Sequence, residues 1–460
     1  MRSWLLVLCF AACATHQVEP APPPRVALPA AFSALGEAPR TDRWWGHFDD
    51  AVLSARVERA LSHNFDVAAA WARVEQAEAL SLAAGATGRP TLQLDAGSSL
   101  SALVHAPSGN LLGAPGGEVT QHQAVAGFAW ELDLFGKGRA QRAAASLDTL
   151  AAVDDVHAAA ETVAGGIVAA WCSLAAEAEA ERLLDRQLEA AQRVQRAVTL
   201  RFGQGSASSA DVLQQRQQLA ALEAQRPGIQ GRRQVLEHQV LTLSGEAAGR
   251  LGETPNQLPV LRPLPSLGVP SELLTRRADV RAAFRRVVSA DERTAVAVAE
   301  TLPTFRLSLG LGFSAKALSD LFQQVLVSLG GAMSYAAVDG GRRDAEVERT
   351  RAVRAERLAA LGRVVSTAFR EVEDALANER AAEESVRLID RQLEHGRAAL
   401  ADAERRFLAG QGDFVQLLSA QLQLMSAESA RLAAARSRLI SRVQLHQALG
   451  GGFSLERGDR

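Results

Sequence analysis

The stretch Arg343–Phe407 constrains this chain more than any other feature. It contains no proline and only two glycines, Gly362 and Gly396, so nothing in it breaks a helix. Its apolar residues recur at steps of three and four and form one stripe on one helix face; they are Leu358, Leu361, Val365, Phe369, Val372, Leu376, Val386, Ile389, Leu393, Leu400 and Phe407. Such a helix is roughly 95 Å long. A small globular core cannot cover a stripe of this length, so we expect other long helices beside it.

A second stretch, Arg139–Phe202, has the same character. Its stripe recurs at similar intervals, and small residues such as the alanines within 140–145 allow neighbouring helices to approach closely. The stripe residues are Val156, Val163, Ile167, Ala170, Leu174, Leu184, Leu188, Ala191 and Val198. The sequence therefore predicts two long helices, 139–202 and 343–407.

The chain also matches itself, with segments of its first half recurring in the same order in its second half. The matching pairs are Asn64–Val74 with Arg277–Val287, Arg89–Leu94 with Leu302–Leu307, Gly138-Arg139 with Gly341-Arg342, and Arg201-Phe202 and Gly205 with Arg406-Phe407 and Gly410. Four matches in one order indicate a tandem duplication. We place the first repeat at 41–250, a linker at 251–270, the second repeat at 271–453 and a tail at 454–460.

Each repeat contains two stretches in which apolar and polar residues alternate, which is the period of a β-strand. They predict strands at about 91–104 and 121–134 and, in the second repeat, at about 304–314 and 324–337. The glycine- and proline-rich segment 105–118 predicts a surface loop. Alternation of this length is typical of transmembrane barrel strands, with apolar residues towards lipid, but a soluble sheet with one wet face has the same pattern.

Four strands are too few to close a barrel, since about eight are needed. An open sheet in lipid would leave backbone groups at its edges without hydrogen bonds, which is costly. No stretch after the leader has about 18 continuous apolar residues, so entry into a membrane would be by strands. If the strands cross a membrane, the chain must oligomerise, and a trimer sharing twelve strands is the smallest solution we expect.

The amino terminus has the features of a secretory signal peptide, residues 1–12. Arg2 supplies the positive end, and the apolar run Trp4–Phe10 is too short to span a bilayer. Two alanines then precede Cys13, an ending that resembles the bacterial lipobox, with Phe10 where leucine is usual. This predicts acylation of Cys13; the alternative is an ordinary signal peptide cut nearby. Residues 13–40 are rich in proline and predict an extended, weakly ordered tether to the lipid.

These features together resemble the outer-membrane efflux proteins, the TolC-like channels, and most closely their lipid-anchored branch that serves resistance–nodulation–division pumps. The segments that carry the resemblance are Trp44-Trp45, Trp130–Gly136, Asp211–Leu213, Leu273–Ala283, Asp339–Arg343 and Glu371–Leu376. The resemblance implies a mostly helical homotrimer with a membrane β-barrel: a 12-stranded β-barrel on a 12-helix α-barrel, in the bacterial outer membrane with a long periplasmic portion. It implies a channel that conducts substrates from an inner-membrane resistance–nodulation–division pump and a periplasmic adaptor to the exterior.

The turns that follow the two long helices are the candidate functional site. The resemblance places them at a periplasmic tip that docks the adaptor and is closed at rest. The tip residues are Phe202, Gly205, Ser206, Phe407, Gly410 and Gly412. The candidate constriction or gate residues are Asp211, Asp413, Gln416 and Ser419, of which the two aspartates could instead cap the returning helices. Gln416 and Ser419 stand where relatives often carry acidic residues, which predicts a less charged ring.

Other functions are compatible with parts of the sequence. A type I protein-secretion channel keeps the fold and changes the pump, and a soluble periplasmic coiled-coil scaffold or adaptor explains the helices without the strands. The histidines are scattered and no Cys/His spacing suits zinc, so we expect no catalytic residues, cofactor or metal. Cys9 and Cys172 cannot build a disulfide framework in the mature chain. A net charge of −2 argues against nucleic acid as a partner.

Overall fold

A computed structural model of the chain describes residues 16, 27, 29–34, 36, 43–104, 115–453 and 455. The protein is mostly helical with one antiparallel sheet. Its helices are α1 (Ala51–His63), α2 (Phe65–Ala86), α3 (Lys137–Gly203), α4 (Ser209–Glu223), α5 (Arg226–Leu243), α6 (Leu273–Arg276), α7 (Ala278–Glu300), α8 (Arg342–Leu408) and α9 (Phe414–Ala448). Its strands are β1 (Thr91–Val104), β2 (Pro115–Leu132), β3 (Thr304–Ala315) and β4 (Val325–Ser334). Cys13 and the rest of the leader lie outside the described residues.

The order of elements repeats along the chain. A helix, two strands, a long helix and a returning helical segment occur first as α2 to α5 and again as α7 to α9. Both long helices, α3 and α8, contain 67 residues. The returning segments differ: the first is split into α4 and α5, with Pro227 in the first turn of α5, whereas α9 is continuous over 35 residues. Proline has no backbone N–H to donate, so it is tolerated at such a helix start.

The sheet has the order β1-β2-β3-β4, and all its pairs are antiparallel. The central pairing joins the two repeats, with Phe128 opposite Leu309. Within the described part of the chain β1 and β4 are edge strands, each with one partner. Large apolar residues on the strands are exposed, and Leu329 on β4 is 83% exposed. The described residues of a single chain therefore leave both an apolar sheet surface and two sheet edges uncovered.

The start of β2 differs from the sequence prediction. The strand begins at Pro115, inside the segment expected to be a loop, and ends at Leu132 rather than near 134. Backbone pairing with β1 continues to Val104–Pro115, past an irregularity at Ala102–Val104. Glycine and proline in 113–117 suggested a turn, but an edge-type pairing can include proline where its missing N–H is not needed. The repeat boundaries themselves, 41–250 and 271–453, stay predictions.

The chain forms two compact units, and each draws on both repeats. One contains the sheet, with residues 74–151 and 283–360. The other contains residues 24–73, 152–282 and 361–460, and in it the predicted stripe on α3 is buried along its whole length. The α8 stripe is mixed: Leu361, Val365, Val372 and Leu376 are buried, whereas Val386 and Ile389 are only half-buried.

Among the described residues, helix α3 contains an 18-residue window with mean hydropathy 1.4, apolar enough for a membrane span by composition, and 67% of that window is buried inside the protein, as in a core helix. The segment expected to be a weakly ordered tether is partly packed where the structure describes it. Phe32 is buried and stacks on Phe369 of α8 with ring centroids 5.9 Å apart, and the Ser33 amide donates to Glu373 Oε1 at 2.9 Å.

Candidate functional site

The first turn, residues 204–208, ends α3 with a Schellman motif. The Ser206 amide donates to the Arg201 carbonyl at 2.8 Å, and the Gly205 amide donates to the Phe202 carbonyl at 3.0 Å. Gly205 has a φ of +70°, a left-handed conformation that glycine adopts without a Cβ penalty. These bonds use carbonyls that the helix end would otherwise leave unpaired.

The second turn, residues 409–413, repeats this arrangement at the end of α8. The Gln411 amide donates to the Arg406 carbonyl at 2.9 Å, the Gly410 amide donates to the Phe407 carbonyl at 3.1 Å, and Gly410 has a φ of +77°. Gly412 has a different role, because a Cβ there would lie 3.0 Å from the Arg406 Cβ and 3.0 Å from the Phe407 nitrogen. The duplication seen in the sequence thus extends to the hydrogen bonds of the turns.

The returning helix α4 begins with a capping box. The Asp211 amide donates to Ser208 Oγ at 3.2 Å, and the Ser208 amide donates to the Asp211 carboxylate at 2.9 Å. Asp211 is half-buried in the third position of the helix. Its carboxylate therefore satisfies a backbone donor at the helix start, where the helix dipole also favours negative charge.

Asp413 caps α9, accepting a hydrogen bond from the Val415 amide at 3.3 Å. The same number of residues separates Ser208 from Asp413 as separates Phe202 from Phe407. Asp413 is thus the counterpart of Ser208, and the counterpart of Asp211 is Gln416. Asp211 and Asp413 therefore both cap helices, as the sequence analysis considered. Their role in a constriction stays a prediction.

A buried apolar cluster joins the ends of the four helices that meet at the two turns. We call it the turn cluster; its members are Val194, Val198, Val212, Phe407, Phe414 and Leu417. Phe407 and Phe414 lie on either side of the second turn with their rings 6.1 Å apart. Because the cluster takes side chains from α3, α4, α8 and α9, the two turns are packed against one another rather than independent.

Arg201 connects the two turns directly. Its Nη1 donates to the Phe407 carbonyl, and its Cζ lies 4.4 Å from the centroid of the Phe407 ring. The guanidinium therefore makes a cation–π contact and also binds a carbonyl at the carboxyl end of α8, where positive charge is favoured. The equivalent residue of the second turn, Arg406, instead pairs with Asp402 on its own helix at 2.8 Å.

The two phenylalanines predicted for the site are in different environments. Phe407 is 3% exposed and belongs to the turn cluster, whereas Phe202 is 47% exposed. Phe202 lies among other exposed apolar residues on the helix ends next to the turns: Leu200, Leu213, Leu408 and Val415. The helix ends next to the turns therefore present several large apolar side chains to solvent.

Gln416 and Ser419 are both exposed on α9, and Gln423 Nε2 donates to Ser419 Oγ at 3.4 Å. Both side chains are neutral. Neither belongs to the turn cluster, so they line its outer side together with exposed Val415.

Among the residues that the structure describes, no group of three or more His, Cys, Asp or Glu side chains could hold a metal ion. The sequence did not predict the contacts that connect the turns, which are made by Arg201, Phe414 and Val212. The repeated Arg-Phe pair was visible as part of the duplication, but which arginine reaches across depends on packing.

The family profile described as outer membrane efflux protein matches residues 57–246 and 269–451. The pyoverdine export outer membrane protein OpmQ of Pseudomonas putida is 30% identical over 463 residues, covering 99% of this chain and 98% of OpmQ. The structure is similar to that of the outer-membrane channel OprN, with a TM-score of 0.85, 29% identity and coverage of 94% of this chain and 99% of OprN. It is also similar to the outer membrane protein VceC of Vibrio cholerae, with a TM-score of 0.82, 25% identity and coverage of 90% of this chain and 100% of VceC.

The recognised family resemblance is therefore confirmed, as is the expectation that the protein is a channel rather than an enzyme. Its mostly helical fold with a small antiparallel sheet is that of the TolC-like α-barrel channels. The chain belongs to the outer membrane efflux protein family.

Proposed function

We propose that this chain is the outer-membrane channel of a tripartite efflux system, in which a periplasmic adaptor and an inner-membrane resistance–nodulation–division pump deliver substrates to it. The observation that carries this proposal is the sheet, which in the described part of one chain has four strands, two free edges and exposed apolar residues, in a family of outer-membrane efflux channels. The name of the relative OpmQ refers to pyoverdine export, which supports a small-molecule cargo here over a secreted protein.

The functional form in this proposal is a homotrimer. The β1 edge of one chain would pair with the β4 edge of the next, so that three chains close a twelve-stranded barrel and their helices form a twelve-helix α-barrel. Pairing satisfies the edge N–H and C=O groups, each of which would otherwise cost several kcal/mol in lipid. It also places the exposed apolar residues of β1 and β4, such as Leu94 and Leu329, against lipid.

The proposal includes an acyl anchor at Cys13, which would insert into outer-membrane lipid in addition to the strands. The packing of Phe32 on Phe369 would then fix one end of the segment between lipid and helices. We expect radiolabelled palmitate to be incorporated into the wild-type protein in growing cells and not into a Cys13→Ser variant. Equal labelling of the two proteins would remove the anchor from the account.

The turns are the closed, adaptor-facing end in this proposal. The exposed apolar residues next to them, Phe202, Leu213 and Leu408 among them, are suited to an adaptor surface. Asp211, Asp413, Gln416 and Ser419 would surround the constriction, with carboxylates at the helix caps and neutral side chains at Gln416 and Ser419. Cation selectivity at this ring would accordingly be weak.

Opening would be a movement of the second hairpin, α8 and α9, away from the first, α3 and α4. Arg201 resists that movement because it binds the Phe407 carbonyl from the first hairpin. We therefore expect Arg201→Ala to raise the single-channel conductance of the protein in planar bilayers. The control is Arg406→Ala, which removes the equivalent charge but only an exposed pair within α8.

The two variants give a clear contrast. The proposal predicts a large conductance for Arg201→Ala and a wild-type conductance for Arg406→Ala. Equal conductance in wild type and Arg201→Ala would mean that the turns are not the gate.

A further inference from the structure

Two buried glutamine side chains interrupt the apolar packing behind the turns. Gln215 on α4 is 0% exposed and Gln421 on α9 is 1% exposed, and both are buried within a single chain. Gln215 Nε2 donates to the Ala191 carbonyl at 3.0 Å. The other amide atoms of these two side chains are buried without a partner: Gln215 Oε1, and both Oε1 and Nε2 of Gln421.

These glutamines lie between two apolar clusters. On one side is the turn cluster; on the other is a second cluster of Leu184, Leu188, Ala191, Leu222, Ile229 and Met425. Gln421 is one helical turn from Leu417 in the first cluster and one from Met425 in the second. Gln215 lies between Val212 and Leu222 on α4. We call Gln215 and Gln421 the glutamine layer.

The layer is poorly satisfied in the present packing. An amide that is buried without hydrogen bonds destabilises the arrangement that buries it, because its hydrogen bonds to water are lost and no protein hydrogen bonds replace them. The unpaired atoms are already buried in one chain, so a neighbouring subunit packed on its surface cannot reach them. The apolar clusters favour the closed packing, and the layer between them opposes it.

A third buried glutamine shows the contrast. Gln187 on α3 bridges to α9, since its Nε2 donates to the Met425 carbonyl at 3.3 Å and to Glu428 Oε2 at 3.1 Å. It lies beside the second cluster and is 6% exposed. Gln187 therefore connects α3 and α9 through hydrogen bonds on one side of the glutamine layer. At the layer itself, amide atoms are buried without partners.

We propose that the glutamine layer is the pivot at which α9 turns when the channel opens. In the open arrangement the amides of Gln215 and Gln421 acquire hydrogen-bond partners from each other, from backbone carbonyls or from entering water. The second cluster and the Gln187 bridge stay in place, and the turn cluster separates. This inference rests on the proposed gate, and it adds the position of the hinge and the reason why the closed state is only moderately favoured.

Methionine substitution tests the pivot, since methionine has nearly the shape of glutamine and no amide. Gln421→Met should raise the thermal midpoint of the detergent-solubilised protein, because both polar atoms of the Gln421 side chain are buried without a partner. It should also lower the open probability in the Arg201→Ala background, by about tenfold if one unsatisfied amide is relieved. Gln187→Met is the matched control and should lower the thermal midpoint, because it removes hydrogen bonds that exist.

The outcomes separate the pivot from the gate. If Arg201→Ala has wild-type conductance, the gate fails and the pivot fails with it. If Arg201→Ala opens the channel but Gln421→Met leaves its open probability unchanged, only the pivot is wrong. A lowered thermal midpoint for Gln421→Met would also overturn it, because the Gln421 amide would then be satisfied in the closed state.

Discussion

Arg201 and Arg406 occupy equivalent positions in the two repeats and make different contacts. Arg201 binds the opposite turn, whereas Arg406 pairs with Asp402 on its own helix. An exposed pair such as Arg406–Asp402 contributes little to stability. The Arg201 guanidinium, by contrast, binds the carboxyl end of α8 and lies on the Phe407 ring, so it connects α3 with α8. The Arg-Phe motif thus occurs in both turns, and its first arginine, Arg201, contacts the other hairpin.

Glu161 on α3 is a second residue whose environment changes its chemistry. Trp44 Nε1 donates to Glu161 Oε1 at 2.9 Å. Burial raises the pKa of Glu161 from 4.5 to about 8, although Trp44, the Gly451 backbone and Arg277 act in the opposite direction. The folded protein therefore holds a proton on Glu161 that the unfolded chain releases above about pH 4.5.

This gives a pH dependence with a defined sign. As pH rises from 4.5 to 8 the folded state binds more protons than the unfolded state at this group, so stability falls, by at most about 1.4 kcal/mol per pH unit. Burial lowers the pKa of nearby His446 to about 3, so above pH 6.5 it is neutral in both states. Between pH 6.5 and 8, Glu161→Gln should therefore flatten the decline. Denaturant unfolding of both proteins at three pH values measures this, and parallel declines would contradict it.

At the scale of the element, the two turns depend on glycine for their backbone conformation. Gly205→Ala and Gly410→Ala should each destabilise the protein by about 1 kcal/mol, because alanine at positive φ is strained. Gly203, in the last turn of α3, has no neighbouring atoms within 4 Å of an added Cβ. Gly203→Ala should therefore be neutral or stabilising by about 0.5 kcal/mol.

Thermal unfolding of the three glycine variants tests this account of the turns. The ranking matters more than the size of each effect. If Gly203→Ala were as destabilising as Gly205→Ala, the left-handed conformation would not be the cause.

The elements were predictable from sequence where one local pattern dominates. The long helices and the buried stripe on α3 follow from apolar spacing, and strand alternation located all four strands. The start of β2 was missed because proline and glycine indicate a turn locally, whereas pairing with β1 is decided by the partner strand. The position of Phe32 on Phe369 was missed for a similar reason, since the contact joins residues far apart in sequence.

The candidate site was predictable in its backbone and not in its contacts. Glycine spacing located both turns, and Asp211 and Asp413 were recognised as possible caps. The different burial of Phe202 and Phe407 could not be read from identical Arg-Phe pairs. Whether the amides of Gln215 and Gln421 find hydrogen-bond partners depends on the residues that neighbouring helices pack around them. It therefore cannot be predicted from the sequence of one helix.

At the scale of the whole molecule, the sheet in the described part of one chain ends in β1 on one side and β4 on the other, and the apolar residues on its strands are exposed. We propose that β1 of one copy pairs with β4 of another. Three copies would then supply twelve strands, more than the roughly eight that a barrel requires.

The most direct test is the mass of the mature protein extracted from outer membranes in mild detergent, measured by native mass spectrometry after the detergent is removed in the gas phase. We predict a mass of three chains. A folded single chain that stays soluble without detergent would contradict the account.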